Sequence, residues 1–146
     1  MKHKNLFFMY IGSFVAMFIT MYAMVAEWSH VYININKVYM ALLMIAAMGI
    51  VNGLVMGKMY SSKKIRWTII GGSVLATALI VWLIRAQSFV DNRAFLKSMI
   101  PHHSSAILVC EQANITDATI EQLCKEIVQT QKQEIQIMET MLSEKY

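Results

Sequence analysis

Three long stretches without a charged residue constrain this chain more than any other feature: Leu6 to Ala26, Val38 to Gly57 and Trp67 to Ile84. Each approaches or exceeds the roughly 18–20 apolar residues that cross the hydrocarbon core of a bilayer as a helix. They leave a chain of 146 residues 57% hydrophobic and only 15% charged, a balance that soluble domains of this size do not carry. Three such runs in a row, with basic residues at their ends, point to three transmembrane helices rather than buried core helices. The first run exceeds the roughly 7–15-residue apolar core of a cleaved secretory signal, and no small-x-small site follows it. It reads as a retained anchor.

Orientation follows from the basic residues. Lys2 and Lys4 precede the first run, and Lys58, Lys63, Lys64 and Arg66 fill the link between the second and third. The link from Glu27 to Lys37 has only a boundary lysine. The N-terminus and the Lys58–Arg66 link are therefore expected in the cytoplasm, with everything after Arg85 outside. The net charge of +4 is no sign of nucleic-acid binding. Residues 1–84 carry seven Lys/Arg against Glu27 alone, whereas residues 85–146 carry six against eight Asp/Glu. The positive charge belongs to topology, and a mildly acidic outer part suits a cation better than a phosphate.

Thirteen methionines gain meaning from their spacing. Met17, Met21 and Met24 recur at i, i+4 and i+7, and Met40, Met44 and Met48 at i, i+4 and i+8, each set on one helical face. In antiparallel spans these faces would form a ladder of thioethers running about 10–12 Å down from the outer surface, beside Glu27 and His30. Such stripes arise in ordinary cores too, since methionine fills irregular gaps. His30 by itself reads as a solvated residue of an external link. Gly49, Gly53 and Gly57 form a small-xxx-small face that admits another helix closely. In the third run Ser73, Thr77, Gly72 and Ala76 suggest ordinary helix packing.

After Arg85 the pattern turns amphipathic, so the chain divides into a membrane region, residues 1–85, and an outer helical domain, residues 86–146. Asp91 or Asn92 is a suitable N-cap. Pro101 either kinks the helix that follows or opens a new one. That second stretch reaches about Ala113. Asn114-Ile115-Thr116 forms a turn with Thr116 as N-cap, and the last helix runs from Asp117 to near Ser143. The sequon at 114–116 reads as coincidence. If Pro101 opens a helix, His102 and His103 sit in its first turn, where the dipole favours neutral imidazole. Met99 lies three and four residues before them. A thioether with two imidazoles suits copper, and Cu(I) in particular; zinc sites show more cysteine or a third histidine or carboxylate.

The stretch FLKSMIPHHSSAI, followed by a helix with IVQTQKQEIQIM, resembles the bacterial family called domain of unknown function 305, which includes periplasmic copper-binding proteins of the CopM type. The resemblance covers about Ser88 to Leu142, and its most specific element is Met-x-Pro-His-His. It implies a ferritin-like helical arrangement and a Met/His metal site at Met99, His102, His103 and Met138, with Glu134. The chain departs from the pattern at Ser104-Ser105, where the family has Gln-Gly, and at Val109, where it often has methionine. Cys110 stands next to that place as a substitute soft ligand.

Folding the hairpin about Ile115 sets Cys110 opposite Ile120 rather than Cys124, an offset of roughly 6 Å along the axis. That favours free or metal-binding thiols over a disulfide, although the outer compartment is oxidising. The same register sets Met138 well past Met99. An enzyme is not expected, since no Glu-x-x-His motif or nucleophile elbow is present. The leading expectation is an all-α protein in which three transmembrane helices precede an extracytoplasmic hairpin. It would sit in a bacterial inner membrane, bind Cu(I) and form a homo-oligomer, with storage, transfer to a partner protein and transport all open, and the thioether ladder with His30 would hold a second copper or relay one. The alternative is a structural or partner-binding module that oligomerises through its glycine face and its outer hairpin, without metal.

Overall fold

The structure, a computed structural model, describes residues 3–146. Lys2, part of the topology argument, lies outside the described residues, as does the side chain of Lys4. The elements are five helices: α1 (His3–Thr20), α2 (Ile35–Val55), α3 (Lys63–Arg85), α4 (Asn92–Gln112) and α5 (Ala118–Lys145). Short 3-10 turns at Trp28–His30 and Gly57–Met59 complete them, and the described residues contain no strand. The chain forms two compact units, Met1–Thr20 with Asn36–Ser88 and Met21–Ile35 with Phe89–Tyr146. The second unit is thus not the C-terminal stretch alone.

In the first unit α2 and α3, of 21 and 23 residues, are long and apolar enough to cross a membrane. At 1.5 Å per residue each reaches about 30–35 Å. The expected third span is corrected: α1 stops at Thr20, and its apolar helical stretch, Asn5–Thr20, is shorter than a full span. The remainder of that apolar run has a competing use. The Tyr22 hydroxyl donates to Tyr32 O at 2.9 Å, folding residues 21–35 back on themselves. Tyr22, His30 and Asn34 are then buried in the second unit.

The α2–α3 pair is close because α2 offers no side chains where α3 approaches. A Cβ at Gly49 would collide with Ser73 Oγ, one at Gly53 with Ile70 Cγ1, and one at Gly57 would lie 2.8 Å from the Arg66 guanidinium. The small-xxx-small face is therefore occupied by this chain's own third helix. Arg66 closes the end of α2, its Nε donating to Gly53 O at 2.6 Å and Nη2 to Leu54 O at 3.2 Å. At the other end Tyr39 donates to Ser88 O at 2.8 Å, and Asn36 donates to Gln87 Oε1. The C-terminus of α3 has the Schellman pattern, Ser88 N–H to Leu83 O and Gln87 N–H to Ile84 O, with Gln87 at φ 47° where glycine is usual. The bonds from Gln87 to Ile84 O and from Asn36 help offset the strain of that conformation.

In the second unit α4 and α5 form a hairpin. Leu96, Ile100 and Ile107 of α4 meet Ile135 and Met138 of α5, with Met99, Val128, Leu142, Ala26 and Tyr32 packed around them. Asp91 caps α4 by accepting from Ala94 N, and Asp117, rather than the expected Thr116, caps α5 by accepting from Thr119 N and Ile120 N. Helix α4 runs unbroken through Pro101, so Pro101 opens no new helix. An interior proline costs about 3 kcal/mol; full burial of Ile100 and Pro101 in the core supplies the offset.

The turn of the hairpin differs from the expected one. Ala113 and Asp117 are extended (ψ 138° and 123°), so the five-residue link carries the chain beyond α4 before α5 turns back. Cys110 then faces Cys124 at a Cα separation of 5.3 Å, and the two form a disulfide. The expectation of free thiols, and of Cys110 as a metal ligand, is corrected. A bonded sulfur is no longer a thiolate donor.

Candidate metal site

Helix α4 turns Met99, His103 and Ile107 toward α5 at intervals of four, and α5 answers with Glu134 and Met138 one turn apart. His103 is buried. Its Nδ1 lies 2.9 Å from Met99 O and its Nε2 lies 2.7 Å from Glu134 Oε2. A carbonyl only accepts, so Nδ1 carries a hydrogen. Nε2 therefore faces the carboxylate, with one shared proton joining the pair. Glu134 is half exposed. Met138 belongs to the apolar cluster, and Met99 packs against it.

Of the six expected ligands, the hairpin register pairs His103 with Glu134 and sets Met99 against the apolar cluster that contains Met138. The expectation that Met138 falls well past Met99 is corrected by the same extended link that pairs the cysteines. His102 stays outside the set. It is exposed, and its ring stands edge-on to that of His103 with centroids 6.0 Å apart. Neighbouring helical residues point about 100° apart, so a buried His103 leaves His102 in solvent. Both lie mid-helix in α4, and the dipole argument for neutral imidazoles does not apply. Among the described residues no three His, Cys, Asp or Glu side chains gather as a metal cluster, so a metal here depends on the thioethers.

The methionine ladder is corrected. Met17 is on α1, but Met21 and Met24 lie in the turn after it and belong to the second unit, so they share no helical face with Met17. Met40, Met44 and Met48 do share a face of α2, with Met40 46% exposed. His30 is not a solvated surface residue. It is buried, with Nδ1 2.9 Å from Ser104 Oγ.

Ser104 is the residue that sequence reasoning missed. Its side chain is fully buried and accepts from Ala26 N–H at 2.8 Å, tying the strap of residues 21–35 to α4. Its place four residues after Ile100 and three before Ile107 was the available signal, since all three fall on the buried face. Around the strap, burial raises the Tyr22 and Tyr32 phenols above their ordinary range, and the charge of Glu139 adds to the effect at Tyr32. Lys132 joins α5 to Glu111 of α4 at 2.8 Å. A cleft of about 460 Å³ lies beside the disulfide, lined by Glu111, Glu121, Lys125 and Val128 among others, away from His103.

Comparison with known proteins bears on the hairpin and on the whole chain. The family described as domain of unknown function (DUF305) matches residues 80–142, which take in all of α4 and most of α5. An uncharacterized protein of Acanthamoeba polyphaga mimivirus is 32% identical over 148 residues, covering 99% of this chain and 95% of its own. No solved structure matches.

Proposed function

The chain belongs to the domain of unknown function 305 family, and on that premise we propose that it is a membrane-anchored Cu(I)-binding protein whose hairpin holds the ion through Met99, His103 and Met138. The observations that support this reading are the His103–Glu134 pair that joins α4 to α5 and the packing of Met99 against the cluster containing Met138 between the same two helices. Two thioethers and an imidazole form a soft donor set that fits Cu(I). The hydrogen bond from Nδ1 to Met99 O is the kind of outer contact that fixes a ligating imidazole. Glu134 is the group that Nε2 leaves when metal binds, and its exposure gives it room to move. His102 is the first donor met from solvent. A second copy would supply the other two helices of a ferritin-like arrangement.

Anchoring by α2 and α3 sets the compartment. Both strands of chain that build the second unit leave the α2–α3 pair at the Tyr39–Ser88 end, opposite the basic link Lys58–Arg66. The excess of lysine and arginine favours the link on the cytoplasmic side. The disulfide favours an oxidising compartment for the hairpin. In a bacterium these are the two faces of the inner membrane, with the hairpin in the periplasm.

The test is anaerobic competition of the full chain against a Cu(I) chelator. The wild type is expected to hold about one ion per chain, and Met99→Leu/Met138→Leu, which keeps the core's volume, to weaken binding at least tenfold. Equal retention by the two proteins sinks the proposal. A second reading takes His103–Glu134 as a structural clamp, favoured by the engagement of both ring nitrogens; it expects no copper in either protein. In this reading the glycine face is no partner surface, because α3 fills it.

A further inference from the structure

The stretch of sequence that builds α2 and α3 carries basic residues and no acidic ones. Between Glu27 and Asp91 the sequence contains neither Asp nor Glu, while Lys37, Lys58, Lys63, Lys64, Arg66 and Arg85 all fall there. Four of them, Lys58, Lys63, Lys64 and Arg66, lie within nine residues, where α2 gives way to α3. The three lysines are exposed. Arg66 is held in place: two of its nitrogens donate to Gly53 O and Leu54 O, and its guanidinium lies 5.7 Å from the ring centre of Trp67.

Fixed in this way, Arg66 forms one wall of a cleft of about 450 Å³ whose remaining lining is Leu54, Val55, Met56, Gly57 and Lys58. One side is apolar and continues the last turn of α2; the other is cationic. Trp67 is 60% exposed beside it, an aromatic residue of the kind that settles at the depth of lipid headgroups. An amphiphile with a negative head matches all of these features at once.

We infer that this cleft, together with the exposed Lys63 and Lys64 that follow it in sequence, binds an anionic phospholipid. The phosphate lies among Lys58, Lys63 and Lys64, and the glycerol and first acyl carbons lie against Leu54, Val55 and Met56. The site rests on the membrane-spanning reading of α2 and α3. An acidic protein segment matches the charge but gains nothing from an apolar wall at the membrane surface. Exposed lysines near an anionic bilayer each strengthen the attraction by about fivefold, and no acidic side chain in this unit competes for them.

The experiment uses the full chain in detergent micelles containing equal amounts of phosphatidylglycerol and phosphatidylcholine with the same acyl chains. Bound lipid is counted by native mass spectrometry. The wild type is expected to retain phosphatidylglycerol at least tenfold over phosphatidylcholine. Lys58→Gln/Lys63→Gln/Lys64→Gln is expected to lose that preference, by about fivefold for each lysine removed, with its thermal midpoint in plain detergent unchanged. Equal retention of the two lipids by the wild type, or full preference in the triple variant, overturns the site. Inorganic phosphate that displaces the lipid at equal concentration overturns the lipid assignment in favour of a free phosphate ligand. The membrane reading has its own readout: a chain released from vesicles by alkaline carbonate overturns that reading and the site with it. A carbonate-resistant chain that ignores headgroup charge overturns this inference alone.

Discussion

Ser104 shows how much of the second unit depends on single buried atoms. Its hydroxyl receives the Ala26 N–H and meets His30 Nδ1, so Ser104→Ala leaves a buried donor without an acceptor. The expected loss is about 1–3 kcal/mol, read by chemical denaturation of the full chain, with faster hydrogen exchange at the Ala26 amide. An Ala26 amide that exchanges at the wild-type rate would mean the strap is held by other contacts. The residues of the proposed site were readable at this scale. Met99, His103, Glu134 and Met138 follow from a motif and its resemblance, and helical periodicity sets their faces. Ser104 was legible only as a departure from a family pattern. Periodicity says that a face is buried but not which distant segment buries it, and here the cover is a non-helical strap whose own sequence reads as membrane.

Elements were read well where packing agrees with hydropathy and poorly where the two compete. Helices α2 and α3 lie where the uncharged runs place them. The helix of the first run stops short of its apolar boundary, because Ala26 packs with Tyr32 against the hairpin core and Tyr22 is buried with its hydroxyl on Tyr32 O. The hairpin register failed for a different reason: an extended five-residue link and a tight turn have similar sequences, yet they shift the pairing by more than a turn of helix. Two measurements bear on these elements. Gly53→Ala drives a methyl into Ile70, whereas a Cβ at Gly72 meets nothing within 4 Å. The first is expected to lower the thermal midpoint in detergent, at a cost of about 1–3 kcal/mol, and the second to leave it level or raise it. Cys110→Ser/Cys124→Ser removes a crosslink between residues 14 apart, and its expected cost is about 3 kcal/mol. Intact mass before and after reduction checks that the bond is present.

For the whole molecule the governing fact is that two separate stretches of chain make one unit, with a pair of candidate spans between them. The orientation has a direct check: in sealed cells, Ser61→Cys is expected to resist an impermeant maleimide and Thr116→Cys to react with it. The reverse pattern would invert the topology. The two-part construction also imposes a schedule. Ala26 is synthesised 78 residues before the hydroxyl that receives its amide. At about 5–20 residues per second that is a wait of roughly 4–16 s, during which α2 and α3 are made. Until Ser104 arrives, Ala26 and Tyr32 have no core to join, and the run from Leu6 to Ala26 is free to behave as one continuous apolar stretch. The strap can therefore be claimed by the hairpin only after the chain has left the ribosome well past α3, which makes the closing of this unit a late report that everything before it has been built.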